Sequence, residues 1–444
     1  MNTDLFVSLG KIVGSVVLLG VVLYAVARIA KRFHLQAELA RKCIHVSLGL
    51  YCLLFPYIFR YSWEVAATCA LAVGVFALAR GKMRGSLGEG LHSVSRVSYG
   101  EILFAVSVAL LFELKGGHYV LNEQGRVAQS AVILYTVPLL ILTLCDAAAA
   151  LVGATYGRRT FHVEEGIKSW EGVVVFIMTA WLVSLIALLT LSNIDRNDAV
   201  LIALMLALFG ALFEAASWRG LDNLFIPLGL YFVLATMTGK GTAGLIAAAA
   251  SFVFLYALMW ALGERLKISR HWTATAACLL FCIATFSGVA STLTPIVAAV
   301  SYGFVSRRVA IERPPHDALN FLLTSLLIAV AFFVASDLFR LDTIFGFNLA
   351  FACLAAGVVG RSGRGLLALL AVCMTAWLAM TVRTLWLAGI DRQTVIYAVG
   401  GLCAIIVSGA AGWALTKDGS DRPWFSIGGL SVLFGFTSLM FAPT

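Results

Sequence analysis

An aspartate within an apolar run begins a stripe of small residues. Asp146, Ala149, Gly153 and Gly157 recur at i, i+3, i+7 and i+11, so on a helix they lie on one face. An acid inside a membrane-spanning helix costs about 2.5–3.5 kcal/mol and usually marks a functional site. The stripe would let another group approach the backbone, although small residues at this spacing also mediate ordinary helix packing.

The segment that follows this stripe is rich in cations and hydrogen-bond donors. Cationic side chains neutralise phosphate oxygens, and exposed backbone N–H groups bind them. The sequence therefore predicts a basic loop that binds polyphosphate, followed by an acid in the first turn of the next helix. The residues concerned are Arg158, Arg159, Lys168, Ser169, Glu171 and Gly172.

A second group of candidate residues lies near residue 45. Arg41, His45 and Gly49 recur every four residues and Lys42 lies beside them, so the group marks one face at the start of a helix. A histidine in this position can bind phosphate or transfer a proton. The alternative is a set of basic residues that flank the membrane, with a histidine that has no role in chemistry.

A third group contains oxygen ligands. Glu214 ends one apolar run, and Asp222 and Asn223 begin the next after a tight turn. Mg²⁺ prefers carboxylate and amide oxygens and keeps several waters and phosphate oxygens. In the alternative interpretation Asp222 or Asn223 only caps a helix. Glu101, at the start of another apolar run, needs a partner or water.

The composition determines which elements can position these residues. The chain of 444 residues is 61% hydrophobic and 12% charged, about half the charge of soluble proteins, and its mean hydropathy is +0.95. These values exclude a soluble protein and predict an all-α polytopic integral membrane protein. The net charge of +9 is assigned to cytoplasmic loops, not to nucleic-acid binding. The nine cysteines form no C-x-x-C pair and are interpreted as apolar residues.

A span needs about 20 apolar residues, and the chain divides into about 14–16 candidate spans. Most of the 32 Lys and Arg residues fall in alternate connections. The positive-inside rule then places these connections, and the three groups above, in the cytoplasm and both termini outside. The candidate spans are 5–28, 43–59, 63–80, 98–113, 129–152, 171–192, 199–216, 223–238, 241–262, 273–289, 291–305, 318–337, 344–360, 365–387, 394–416 and 424–441.

The polar residues divide the chain in two. Residues 1–240 contain the longer charged loops and the acids near span ends, whereas residues 241–444 form an additional transmembrane domain for which the sequence predicts no role. The segment Thr238–Gly244 is the expected boundary. The sequence contains no P-loop, no protein-kinase signature set, no H-E-x-x-H and no G-x-S-x-G. Nucleotide chemistry in this chain would therefore not use a P-loop.

Together these segments resemble the polyprenol/phytol/dolichol kinase family, membrane enzymes that phosphorylate lipid alcohols and commonly use CTP. The family pattern D-x-x-A-x-x-x-G-x-x-x-G, followed by K-K-T-x-E-G, matches Asp146, Ala149, Gly153, Gly157, Lys168, Ser169, Glu171 and Gly172. The spacer is one residue longer, and Ile167 replaces the first lysine. The segments 41–49, 98–101 and 214–227 are also similar to the family. The resemblance covers about residues 30–237.

This resemblance implies a CTP-dependent kinase for a phytol, polyprenol or dolichol type of alcohol, acting with Mg²⁺ at the cytoplasmic membrane boundary. With the residue chemistry it predicts catalytic roles for Asp146, His45 and Lys168. The predicted nucleotide-binding residues are Ala149, Gly153, Gly157, Arg158, Arg159, Lys168, Ser169, Glu171 and Gly172. The predicted contacts to substrate or phosphate are Arg41, Lys42, Glu101 and Asn223, and the predicted Mg²⁺ ligands are Asp146, Glu214 and Asp222.

Two other functions are considered. A CDP-lipid synthase also brings CTP to a membrane phosphate, and it would release pyrophosphate. A transporter or scaffold without nucleotide chemistry would explain the many spans and the acids within them. The expected partners are a lipid alcohol, a nucleoside triphosphate and the bilayer, with no nucleic acid, and the expected location is a bacterial inner membrane.

Overall fold

A computed structural model describes the chain as a bundle of helices. The part of the chain that it describes is almost entirely helical, which confirms the all-α polytopic membrane fold. Within that part, nine helices are long and apolar enough to cross a membrane, and further apolar helices are shorter. The count of 14–16 spans stays a prediction. The described residues are 2–35, 37–82, 100–114, 129–163, 166–216, 220–266, 270–306, 317–339, 342–363, 365–415 and 422–441.

The chain divides into two compact units, Met1–Ala249 and Ala250–Thr444. The predicted boundary segment Thr238–Gly244 contains the turn between two helices in the first unit, where Gly239 has a positive φ of 92°. The elements that begin in the first unit are α1 (Asn2–Arg32), α2 (Ala37–Cys52), α3 (Phe55–Ile58), α4 (Ser62–Lys82), α5 (Gly100–Leu114), α6 (Gln129–Leu140), α7 (Asp146–Tyr156), β1 (Thr160–Val163), β2 (Gly166–Ser169), α8 (Trp170–Leu191), α9 (Arg196–Ala216), α10 (Asp222–Met237) and α11 (Thr242–Leu266).

The helices α6 and α7 are joined by a π-helical turn. The turn comprises Ile141–Cys145, and the helix continues from it directly into Asp146. Pro138 lies one turn earlier and lacks the N–H that would bond within the α-helix. Single π turns of this kind inside α-helices occur frequently at functional sites.

A close contact places α2 beside this turn. Gly49 faces Thr143, whose side chain occupies the position that a Cβ on Gly49 would need. The Tyr135 hydroxyl also donates a hydrogen bond of 2.8 Å to the Cys52 carbonyl at the end of α2. These contacts fix the position of α2 against the helix that carries Asp146. The structure has a candidate span at Leu39–Ile58, close to the predicted span 43–59, and within it a turn at Leu53–Leu54 separates α2 from α3.

The segment that was expected to be a loop after α7 forms a β-hairpin. Its strands β1 and β2 are antiparallel, with Phe161 opposite Lys168 and Thr160 opposite Ser169. Thr160, Phe161 and Val163 are β-branched or aromatic residues that favour strands. The hairpin ends at Ser169, whose hydroxyl accepts a hydrogen bond from the Gly172 N–H and caps α8.

The second unit packs around one helix. Its elements are α12 (Arg270–Ser287), a 3₁₀ turn (Val289–Thr292), α13 (Leu293–Ser306), α14 (Asp317–Phe339), α15 (Ile344–Arg361), α16 (Leu366–Ala388), α17 (Arg392–Ala414), α18 (Arg422–Ser438) and a final 3₁₀ turn (Leu439–Phe441). Every residue of α15 from Phe345 to Gly360 is buried. A Cβ on Gly360 would meet the backbone of Gly409, so small residues bring α15 and α17 together.

We expect Gly49→Ala to destabilise the first unit, because the added methyl group overlaps Thr143 and overpacking costs about 1–3 kcal/mol. Thermal unfolding of the detergent-solubilised protein measures this loss. The control is Gly74→Ala in α4, where no atom lies within 4 Å of the added Cβ; it should be neutral or stabilise by about 0.5–1 kcal/mol. Equal melting temperatures for the two variants would contradict the contact between α2 and the π turn.

Candidate functional site

The site begins with a buried ion pair between two helices. The Lys42 ammonium, on α2, donates a hydrogen bond of 2.7 Å to Oδ2 of Asp146, the first residue of α7. The two side chains are only 6% and 8% exposed. Burying either charge alone would cost several kcal/mol, so each residue requires the other. Lys42 was predicted to contact substrate or phosphate, and the structure shows that it holds the predicted catalytic acid.

His45 lies one turn further along α2 and faces the same acid. Its Nε2 is 3.2 Å from the Leu142 carbonyl oxygen in the π turn and 3.9 Å from Asp146 Oδ2. Both neighbours of Nε2 are acceptors, so neutral His45 carries its proton on Nε2 and its lone pair on Nδ1. The imidazole packs edge-on against Phe104 of α5, with the ring centroids 5.4 Å apart. The π turn therefore positions both the acid and the histidine.

A second ion pair joins the hairpin to α9. Lys168, on β2, donates a hydrogen bond of 2.7 Å to Glu214 Oε1 and another to the Glu214 carbonyl oxygen. The side chains are 25% and 16% exposed, so this pair lies nearer to water than the first one. Lys168 also interacts electrostatically with Asp146. The two lysines thus approach the same acid from different elements.

The start of α10 completes the cluster. The Asp222 carboxylate interacts electrostatically with Asp146, Lys42 and Lys168. Asn223 donates from Nδ2 to the Gly220 carbonyl at 3.3 Å and to Asp222 Oδ1 at 3.4 Å. Both of these groups are acceptors, so the atom of the Asn223 side-chain amide that faces them is the nitrogen, and the other atom is the oxygen. Asn223 Oδ1 is buried and has no hydrogen-bond partner among the described residues.

The cluster has an excess of negative charge that suits a cation. It contains three carboxylates and two ammonium groups, so its net charge is −1 when all of these groups are ionised and the histidine is neutral. The carboxylates of Asp146 and Glu214 are paired with lysines. Among the described residues, no three His, Cys, Asp or Glu side chains are arranged to hold a metal ion. The cluster comprises Lys42, His45, Asp146, Lys168, Glu214 and Asp222.

Mg²⁺ fits a smaller ligand set at this cluster. It commonly takes one or two carboxylates and completes its shell with water and phosphate oxygens. The unpartnered Asn223 Oδ1 and the neighbouring Asp222 carboxylate are oxygen ligands of this type. The predicted ligand set of Asp146, Glu214 and Asp222 stays a prediction, and two of its three carboxylates are paired with lysines in this structure.

The stripe of small residues on α7 packs against the start of α8. A Cβ on Gly153 would lie 2.9 Å from Ser169 Oγ, and one on Gly157 would lie 2.8 Å from Ser169 Cβ. A Cβ on Gly172 would lie 3.0 Å from the Ala149 carbonyl oxygen. The predicted close approach to the backbone is thus made by the Ser169–Gly172 turn, so these small residues hold the hairpin against α7. Their contact with a nucleotide stays a prediction.

The remaining predicted residues lie around this turn or at helix starts. Arg158 and Arg159 are exposed, and the Arg159 N–H donates to Glu171 Oε1 at 3.1 Å. Arg41 and Glu101 are exposed in the first turns of α2 and α5. Ser98 and Tyr99 of the segment 98–101, and Arg219 of the segment 214–227, lie outside the described residues.

Sequence reasoning missed the π turn, the hairpin and the pairing of the two lysines. Pro138, one helical turn before the π turn, is the sequence signal that could have indicated an irregular helix there. Lys42 and His45 are three residues apart, a spacing that places both on one helix face. That spacing could have identified Lys42 as a partner of the acid that His45 faces.

The fold and the site define a polytopic membrane protein with a charged cluster buried between its helices. Over 193 residues the chain is 30% identical to the phytol kinase of Synechocystis sp. (strain ATCC 27184 / PCC 6803 / Kazusa), a match that covers 44% of this chain and 76% of that protein. The chain therefore belongs to the polyprenol/phytol kinase family. No family model and no solved structure matches it.

We expect Lys42→Met to destabilise the protein strongly, because losing one partner of a buried ion pair leaves an uncompensated charge and costs about 3–5 kcal/mol. The double variant Lys42→Met with Asp146→Asn should recover much of this loss. Thermal unfolding of Lys42→Met, Asp146→Asn and the double variant measures the coupling free energy between the two residues. The exposed Lys240→Met is the control. Additive effects of the two substitutions would show that the ion pair does not form.

Proposed function

We propose that the chain is a CTP-dependent kinase that phosphorylates the hydroxyl of a long-chain lipid alcohol of the phytol, polyprenol or dolichol class. It would act with Mg²⁺ at the cytoplasmic boundary of a bacterial inner membrane. The observation that carries the proposal is the convergence of Lys42, Asp146, Lys168 and Asp222 from separate elements in a member of this family. A kinase that phosphorylates an alcohol follows from the family itself.

The arrangement of charges suits phosphoryl transfer. This reaction needs anionic oxygens held in place, cations that neutralise them and an oriented nucleophile, with little covalent work by the protein. The ammonium groups of Lys42 and Lys168 can contact phosphate oxygens near the transferred group. The exposed Arg158 and Arg159 lie on the approach to the hairpin, where they can contact the outer part of the nucleotide.

One atom is suited to the lipid hydroxyl. Neutral His45 presents Nδ1 as an acceptor. A hydroxyl that donates to this atom would be oriented for attack on the terminal phosphorus. The apolar tail would stay among the lipid chains, and the hydroxyl would reach the helix ends where the cluster lies.

Mg²⁺ would be held by Asp222 and Asn223, with Asp146 as a further carboxylate near the phosphates. When bound, it would neutralise phosphate oxygens. Lys42 and Lys168 orient Asp146 and Glu214 through their hydrogen bonds. The two alternative functions, a CDP-lipid synthase and a transporter or scaffold, gain no support from the family relationship.

The direct experiment is to incubate the purified protein with Mg²⁺, γ-labelled CTP or ATP and a panel of lipid alcohols, and then to extract the organic phase. Label in the lipid supports the kinase and identifies both donor and acceptor. If no alcohol is labelled, α-labelled CTP with phosphatidic acid tests for a CDP-lipid product. Labelling from the α position would overturn the kinase in favour of a synthase.

We expect Asp146→Asn to lower the rate of lipid phosphorylation by about 100-fold or more, because electrostatic groups at a transferred phosphate commonly contribute this much. Because the variant leaves the Lys42 ammonium without its partner and destabilises the protein, its rate is measured per folded molecule, at a temperature below its melting transition. Asp195→Asn, an exposed acid in the turn before α9, is the matched control and should retain full activity. Full activity of Asp146→Asn would refute the proposed role of the cluster.

Asn223→Ala should raise the Mg²⁺ concentration that gives half-maximal rate by about 10-fold, because one oxygen ligand beside Asp222 is lost. The Ala variant removes an orphaned acceptor together with two long hydrogen bonds from Nδ2, so the stability of the free protein should change little. Steady-state kinetics at varied Mg²⁺ with the best alcohol and a melting curve measure the two effects. Unchanged kinetics would assign the unpartnered oxygen to no step of the reaction.

A further inference from the structure

The hairpin that carries Lys168 is fixed at its base by local contacts. The Trp170 N–H donates to the Arg159 carbonyl at 2.9 Å, and the Arg159 N–H donates to the Glu171 carboxylate. These bonds join residues on either side of the hairpin and set its backbone. They do not determine where the long Lys168 side chain points, since a lysine has many rotamers.

Glu214 fixes the direction of the Lys168 side chain. Both its side-chain Oε1 and its backbone carbonyl accept hydrogen bonds from the Lys168 ammonium. Glu214 lies in the last turn of α9 that the structure describes. Its carboxylate and its backbone carbonyl oxygen together form an anchor for one cation.

The anchored ammonium retains one donor. A lysine ammonium has three N–H bonds, and Glu214 takes two of them. The charge of Lys168 acts on both Asp146 and Asp222, so the ammonium lies within electrostatic range of both acids. One N–H of a fixed cation is therefore available beside the acids of the cluster, without a further partner among the described residues.

We propose that Glu214 is a positioning residue and not a metal ligand, and that it aims the remaining Lys168 N–H at a phosphate oxygen of the bound nucleotide. The inference rests on the proposed function, because it assigns roles within the same site. It changes the predicted role of Glu214. A bound Mg²⁺ at Glu214 would have to compete with the two hydrogen bonds from Lys168, whereas Asp222 and Asn223 can take the ion without breaking that pair.

The test compares Glu214→Gln and Glu214→Ala with the wild type in three measurements. These are the dissociation constant for CTP without alcohol, the KM for the alcohol, and the Mg²⁺ concentration that gives half-maximal rate at saturating CTP. Glu214→Ala should weaken CTP binding by about 10-fold or more, since the fixed charged hydrogen bond is lost. Glu214→Gln keeps an oxygen acceptor and should weaken it less. The other two measurements should stay within about twofold of the wild type.

The exchanged double variant Lys168→Glu with Glu214→Lys provides a readout that a purely structural pair would not give. It restores an ion pair between the hairpin and α9, so the melting temperature should recover relative to either single variant. CTP binding should not recover, because the cation has moved to α9. Glu113→Ala, an acid in the last turn of α5, is the matched control and should leave all three measurements unchanged.

Two results would overturn the inference. If Glu214→Ala raises the Mg²⁺ requirement while CTP affinity is unchanged, Glu214 is a metal ligand. If the exchanged variant recovers CTP binding, Lys168 only attaches the hairpin. CTP binding is measured without alcohol, so these results stay distinct from failure of the proposed function, which would appear as a wild-type protein that phosphorylates no alcohol.

Discussion

The ion pair between Lys42 and Asp146 is the constraint on which the site depends. Neither charge can be buried alone among apolar helices without a cost of several kcal/mol. The pair therefore requires α2 and the helix of Asp146 to be in contact, and Gly49 allows that contact by leaving room for Thr143. The π turn directly before Asp146 then brings the Leu142 carbonyl to His45. A single buried charge thus determines how several neighbouring residues are placed.

The same principle extends to the rest of the cluster. Three carboxylates placed close together repel one another, and two lysines from different elements offset that repulsion by pairing with Asp146 and Glu214. Asp222 has no ion pair of this kind in the described structure, and the neighbouring Asn223 Oδ1 is unpartnered. A nucleotide with its metal would bring the missing charges: phosphates for the lysines and a divalent cation for the oxygens. The cluster is thus electrostatically incomplete in a way that the substrates of a kinase would complete.

Much of this architecture could be predicted from the sequence, because hydropathy and positive charge identify helices and loops in a membrane protein. The helices that carry Asp146, Glu214 and Asp222 lie close to where they were expected. The pairing of Lys42 with Asp146 and of Lys168 with Glu214 could not be predicted in the same way. Which acid Lys168 contacts depends on how the hairpin packs against α9. The π turn follows Pro138 in the chain, but a proline alone does not predict the type of irregularity that follows it. Hairpin strands of four residues also give too short a pattern to distinguish from a loop.

The most direct test of the central claim is a structure of the protein with a non-hydrolysable CTP analogue and Mg²⁺. We predict that phosphate oxygens lie within hydrogen-bonding distance of the Lys42 and Lys168 ammonium groups, with the metal ion beside Asp222 and Asn223. A nucleotide bound elsewhere in the chain, with both lysines still paired only with their acids, would contradict it.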